Sequence, residues 1–531
     1  MNTFVLGLIV IVYFLIITYL GFLGYKGTKN SKDYLIGSRE IHPFIMAMSY
    51  GATFISTSAI VGFGGVAGLF GMGLLWLTFL NIFFGVFIAF IFFGKRTRRL
   101  GVNLDAHTFP DLLGKRYQSD AMQKIAGLII FISMPLYAAV VLIGGARFIE
   151  EVLLVDFDIA LTVFSIIIAA YVITGGIKGV MYTDAMQGVI MFVGMIFLLV
   201  VTYSKLGGVT AAHEALSNIS NLVPENLQAI GHQGWTAMPV TGSPFWWTLV
   251  TSIIIGVGIG VLAQPQLVVR FMMVKSDREL NRAILSGGIF ILAATGVTFI
   301  VGALSNVYFF QETGKIAIAA VGGNVDKIIP TYINQAMPSW FVYVFMLALI
   351  SAGMSTLSSQ FHVMGTSIGY DFYSKFSKKD TSPILITRLA IIISIILAVI
   401  IGYKLPGGII ARGTAIFFGI CAAAFMPSYI GGLYWKGATK KGAFASMAVG
   451  FIVSIFCLAF LHQKESAALG ISMALFGKDM LIAKHPWPLV DPIIIALPIS
   501  TLVFIITSIF TKRSDEKHLT MVFNKRQTSN I

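Results

Sequence analysis

Apolar runs about as long as the roughly 20 residues a helix needs to cross a bilayer recur through this chain from Thr3 almost to Phe510. Of its 531 residues 57% are hydrophobic and 11% charged, against about a quarter charged in ordinary soluble domains. A water-soluble fold is excluded. About 13 spans are predicted, over residues 3–25, 43–70, 73–94, 123–150, 157–175, 184–206, 245–274, 283–307, 338–372, 382–403, 407–434, 441–462 and 489–511. The expected fold class is an all-α polytopic membrane protein. The first run lacks a basic leader and a small-residue cleavage site, so it reads as a retained span rather than a signal peptide.

The net charge of +14 invites a nucleic-acid reading, but the positions of the basic residues oppose it. They gather in alternate loops: Lys26, Lys29, Lys32 and Arg39 after the first span, Lys95 to Arg99 and Lys115 to Lys124 after the third, and a basic tail from Lys512. The intervening loops hold the acidic group Glu150, Glu151, Asp156 and Asp158. By the positive-inside rule the N-terminus is expected outside and the C-terminus in the cytoplasm of a cell-membrane protein, with the lipid bilayer and not nucleic acid as its partner. The longest stretches between spans reach at most about 40 residues, too short for a soluble catalytic or regulatory domain. Cys421 and Cys457 lie inside spans and read as packing groups. No HExxH pattern or other nucleophile and base set suggests an enzyme.

Interruptions of the apolar pattern matter most, because unwound backbone is tolerated in a membrane only where it lines a cavity. Span two carries Ser49 to Ser58 followed by Gly62, Gly64, Gly65 and Gly68. Span seven carries Gly256, Gly258 and Gly260 followed by Gln264-Pro265-Gln266. Both are predicted to be discontinuous helices, unless the glycines serve close packing alone. They open two successive five-span blocks, 43–206 and 245–434, as expected of an inverted-repeat transporter. Residues 1–42 then form an extra span and loop, 207–244 an external loop, 435–511 two peripheral spans and 512–531 a cytoplasmic tail.

Span nine contributes the densest polar group. At helical spacing Ala352, Ser355, Thr356 and Ser359 share a face, with Ser358 beside it, and oxygens so gathered suit a hard monovalent cation. Asp184, at the start of span six, reads either as a helix cap or as a cation ligand. Arg147 and Glu150 read as a structural ion pair. Arg412 reads either as a contact for an anionic solute or as a side chain snorkelling outward.

The chain carries an ordered set of motifs: Asp33-Tyr34-Leu35-Ile36-Gly37-Ser38-Arg39, Thr108-Phe109-Pro110-Asp111 with Arg116-Tyr117, Gly144 to Glu150, and Gly175-Gly176 before Asp184. Gln264-Pro265-Gln266 with Arg270-Phe271, and Gly432-Leu433-Tyr434-Trp435-Lys436, complete it. In this set the chain resembles the sodium/solute symporter family, whose members carry proline, pantothenate, sugars, sialic acid and monocarboxylates. The resemblance implies a leucine-transporter-type fold of five plus five inverted helices. It also implies a sodium site formed by Ala52, Ile55, Ala352, Ser355 and Thr356, and a second formed by Asp184, Ser355, Ser358 and Ser359. Two ions per cycle would supply roughly 5 kcal/mol at 100 mV, enough for a few-thousandfold accumulation at about tenfold per 1.4 kcal/mol. No cofactor is implied beyond sodium as the coupling ion.

Residues expected by position to line the solute site are Phe54, Ser56, Thr57, Tyr137, Val257, Val261 and Arg412. Proline carriers differ at the positions of Phe54, Val257 and Val261. An apolar pocket with hydroxyls and Arg412 suits a small carboxylate such as pantothenate or a monocarboxylate. The expected function is sodium-driven uptake of such a solute by alternating access; the alternatives are an amino-acid carrier of proline type and a channel.

Overall fold

The computed structural model describes residues 3–26, 35–39, 41–172, 177–375 and 383–524. The motif residues Asp33, Tyr34, Gly175 and Gly176 lie outside these. Among the described residues the chain is helical, with one isolated bridge between Ile41 and Val274 and no strand.

Among the described residues ten continuous helical runs are long and apolar enough to cross a membrane, and two shorter apolar helices, Ile11–Gly24 and Phe157–Ala169, join them. One run, Ser58–Asn103, has 46 residues, roughly 70 Å at 1.5 Å per residue and about twice the thickness of a bilayer. It contains two spans. The chain turns at Gly71, whose φ of 75° is open to glycine and costly for other residues. A Cβ there would also fall 2.1 Å from the Trp235 carbonyl oxygen. With that division the helices fall on the spans expected from the apolar pattern.

In chain order, α1 is Thr3–Lys26, α2 Pro43–Phe54, α3 Phe63–Phe70 and α4 Leu75–Ile82. The long α5 is Asp120–Leu153, α6 Phe157–Val172 and α7 Ile177–Lys205. After the 207–244 loop come α8 Val257–Gly260, α9 Pro265–Phe271, α10 Asp277–Thr313 and α11 Ser339–Thr366. The last are α12 Pro383–Lys404, α13 Ile410–Tyr434, α14 Lys440–Phe460 and α15 Pro492–Ile509.

Both expected breaks are present. After α2 the chain leaves the helix at Ile55, which is extended (φ −89°, ψ 98°), and re-enters through the wide turn Ser58–Gly62 that leads into α3. Between α8 and α9 the break falls at Gln264 (φ −74°, ψ 115°) with Pro265 opening the next helix. Proline lacks an N–H and disfavours helical geometry in the residue before it. The bridge from Ile41 to Val274 joins the start of α2 to the segment just past α9, so the two interrupted helices are tied together at one end.

Around the first break α7 and α11 flank α2, α10 backs α2 and α3, and α13 packs beside the wide turn. Outside this group α1 lies against α7, and α14 and α15 lie against α13. The far end of α3 is capped by the 207–244 loop, where buried Trp235 donates from Nε1 to the Gly68 carbonyl at 3.0 Å. On the other flank α3 meets the Val325 segment with no room to spare: a Cβ on Gly65 would lie 1.9 Å from the Val325 carbonyl oxygen. The adjacent Asp326 accepts from the Gly408 amide at 2.7 Å, joining that segment to the start of α13.

Candidate functional site

The hydroxyls of α11 cross the frayed end of α2. Ser355 Oγ donates to the Ala52 carbonyl at 2.8 Å and approaches the Ala352 carbonyl at 3.2 Å. Thr356 Oγ1 donates to the Thr53 carbonyl at 3.1 Å and lies 3.4 Å from that of Ala52. These residues are fully buried or nearly so. A hydroxyl oxygen keeps lone pairs while its hydrogen turns elsewhere, and carbonyls at a broken helix end lack their usual i+4 donors. Four of the five residues expected in the first cation site, Ala52, Ala352, Ser355 and Thr356, therefore meet at one point. Ile55 carries the extended turn next to it, and its amide remains bonded to the Gly51 carbonyl at 2.8 Å.

Asp184 does not cap a helix. It lies within α7, which begins at Ile177, and its buried carboxylate faces α2. Asp184 Oδ2 accepts from Ser49 Oγ at 2.8 Å and Thr53 Oγ1 at 3.3 Å. It also accepts from the Arg270 guanidinium of α9 at 2.9 Å. Arg270 donates further to Ser49 Oγ at 3.0 Å, Thr53 Oγ1 at 2.5 Å, Ser359 Oγ at 2.6 Å and the Gln266 carbonyl at 2.5 Å. Ser358 Oγ turns back to the Ser355 carbonyl at 3.1 Å, as hydroxyls in membrane helices often do. Three of the residues expected in a second cation site, Asp184, Ser355 and Ser359, thus sit together with a guanidinium among them. Sequence reasoning did not foresee Arg270 there. The available signal was a lone arginine inside an apolar stretch, which must find a carboxylate or carbonyl partner.

A small cavity lies on the other side of the break. Phe54, Ile55, Ser56, Tyr137 and Val257 line it, joined by Phe63, Asn81, Thr295, Phe299, Thr414 and Phe418. Tyr137 is held by a hydrogen bond with Ser56 and by ring contacts with Phe417 at 5.2 Å and Phe418 at 5.4 Å. No charged side chain is among the described residues lining the cavity.

Three residues expected at this cavity lie elsewhere. Thr57 Oγ1 donates to the Val141 carbonyl at 2.5 Å, which binds the break to α5. Val261 packs behind Phe54, both against Gly85. Arg412 forms an ion pair with Glu465 at 2.7 Å. It precedes the lining residue Thr414 by two positions, which on a helix turns it about 200° away. Arg147 and Glu150 do form the expected ion pair, at 2.7 Å, and Lys327 joins it at 3.0 Å.

A pair of interrupted helices, with buried oxygens at one break and a cavity beside them, defines a secondary transporter with the five-plus-five helical fold. The model of the Sodium:solute symporter family matches residues 34–450, and the chain belongs to that family: it is a multi-pass membrane carrier coupled to sodium, not an enzyme. Sodium/proline symporters of Staphylococcus aureus, for example from strains JH9 and JH1, are 29% identical over 467 residues, covering 86% of each chain. The solved structure of a Na+-coupled sialic acid symporter in a substrate-bound outward-open state matches with a TM-score of 0.73 at 17% identity. That match covers 96% of this chain and 98% of the other.

Proposed function

We propose that this protein takes up a small zwitterionic amino acid of about the size of proline, driven by sodium bound at Ala52, Ile55, Ala352, Ser355 and Thr356. The observation that carries the sodium assignment is the pair of α11 hydroxyls on the Ala52 and Thr53 carbonyls. An ion there replaces weak hydroxyl contacts with direct coordination and binds α11 to α2. Solute binding in the adjacent cavity and rocking of the core about the site then release both on the far side. One charge moved through 100 mV supplies about 2.3 kcal/mol, or about fortyfold accumulation at tenfold per 1.4 kcal/mol.

The solute reading departs from the carboxylate expectation for two reasons. Arg412, the basic group that favoured an anion, is paired with Glu465 away from the cavity. A net anion in a lining of aromatic rings, hydroxyls and one amide would have no counter-charge, whereas a zwitterion brings its own. The relatives named sodium/proline symporters support the same reading. The positions of Phe54, Val257 and Val261 depart from proline carriers, so the favoured solute is one whose apolar body packs on Phe54 and Val257. The basic loops favour an external N-terminus and a cytoplasmic C-terminus in the cell membrane, and the two breaks favour repeats over 43–206 and 245–434.

The test is uptake into proteoliposomes of radiolabelled proline, alanine, pantothenate and lactate, with sodium or choline outside. Sodium-dependent, saturable uptake of an amino acid is expected. Uptake confined to the carboxylates, or uptake equal in choline, rejects the reading.

A further inference from the structure

The Asp184 pocket already holds a cation belonging to the protein. Arg270 is almost fully buried and Asp184 fully so. The guanidinium uses all three of its nitrogens, on Ser49, Thr53, Asp184, Ser359 and the Gln266 carbonyl. The three hydroxyl oxygens and one carboxylate oxygen it contacts are the hard ligands a small alkali cation would use.

Occupancy decides between the two cations. With Arg270 in place the carboxylate is neutralised and the oxygens of Ser49, Thr53, Ser359 and Asp184 Oδ2 are already engaged, so a sodium ion could use them only by displacing the guanidinium. A guanidinium does not lose its proton under any ordinary condition, so the pocket cannot be vacated by deprotonation. Its departure would break every one of the bonds named above. Next to it lies a small cavity whose lining includes Pro110, Gln266, Val269, Arg270, Ser359 and His362. That cavity offers no second carboxylate: among its described lining residues none is acidic.

We propose that Arg270 is the resident cation of the Asp184 pocket, standing where a second sodium ion would otherwise bind, so that the carrier couples a single sodium, at Ser355 and Thr356, to each solute. This rests on the sodium site assigned above. Its consequence is that solute accumulation is limited by the first power of the sodium gradient and not by its square. Asp184 Oδ1 receives no hydrogen bond among the described residues, so the carboxylate keeps coordinating capacity that only removal of the guanidinium would release.

The experiment measures bound 22Na+ per molecule at equilibrium on the purified full chain, and the ratio of 22Na+ to solute flux in proteoliposomes. In the parent protein one ion is expected by both measures, with binding abolished by Ser355→Ala. Arg270→Lys, which keeps a cation, is expected to stay at one. Arg270→Gln is expected to double the bound sodium, and Arg270→Gln with Asp184→Asn to return it to one. Two ions on the parent protein, one of them lost in Asp184→Asn, overturn the proposal while leaving the Ser355 site intact. No sodium binding on the parent protein overturns that site instead. Should the Arg270 variants fail to fold, the ion count of the parent protein alone decides.

Discussion

Ser355 Oγ rests 2.8 Å from the Ala52 carbonyl oxygen across 303 residues of chain, and this hydrogen bond joins a continuous helix to the end of an interrupted one. Where two such elements move relative to each other, whatever occupies the junction sets which arrangement is favoured.

Ser355→Ala removes a coordinating oxygen and a tie between α11 and α2 together. Sodium stimulation of uptake is expected to fall at least tenfold, equivalent to about 1.4 kcal/mol, with unchanged amounts of protein in the membrane. Thr356→Ala is expected to behave alike. Initial rates against sodium concentration read this directly, and curves matching those of the parent protein in both variants would remove the site.

Tyr137→Phe deletes only the hydroxyl that meets Ser56, leaving the ring stack on Phe417. A neutral hydrogen bond contributes about 0.5–1.5 kcal/mol, so a two- to tenfold rise in the solute KM is expected. The sodium dependence should stay as it was, because the Ser355 and Thr356 bonds are not touched. A change in sodium affinity without one in solute affinity would contradict this division of labour.

Arg412→Gln is expected to leave the order of preferred solutes unchanged, since its partner is Glu465. The effect belongs to stability. Burial by itself raises the Glu465 carboxyl, but its hydrogen bond with His462 and the charges of His462 and Arg412 outweigh that and hold it below the ordinary carboxylate range. A depressed carboxylate stabilises the fold fully above its ordinary value of 4.5 and ceases to do so as acid titrates it in the folded protein. Thermal unfolding in detergent should therefore show Glu465→Gln losing part of the acid sensitivity below that pH. An unaltered acid profile would refute the role.

Gly71→Ala meets two obstacles, a positive φ and the Trp235 carbonyl oxygen at 2.1 Å. Its backbone, with φ 75° and ψ −156°, lies in a region essentially reserved for glycine and costs another residue about 1–3 kcal/mol, and the steric overlap adds to that. Lower melting temperature and poor yield are expected, whereas full stability would mean that the loop around Trp235 gives way freely.

Much of this architecture was legible because its signals are local. Pro265 follows closely on Gly256, Gly258 and Gly260, a combination that weakens a helix locally, and Ser355, Thr356 and Ser359 share a face by spacing alone. The Asp184 and Arg270 pair was not legible, because two charges 86 residues apart carry no periodic mark, although each was singly out of place in an apolar run. Arg412 was misjudged for a related reason: Glu465 lies beyond the following span, so nothing adjacent announced it. Asn81 reaches the cavity from α4, Thr295 from α10, and Thr414 and Phe418 from α13. Only the folded packing brings such scattered positions together.

The seam where Gly65 meets Val325 leaves no allowance for even a methyl group. Any larger residue there acts as a wedge, and because the same segment is fastened through Asp326 to Gly408, prying it away from α3 would disturb the α13 end as well. A carrier whose cycle requires that seam to stay closed would lose transport with such a wedge, while one that opens it would tolerate the wedge in one state only.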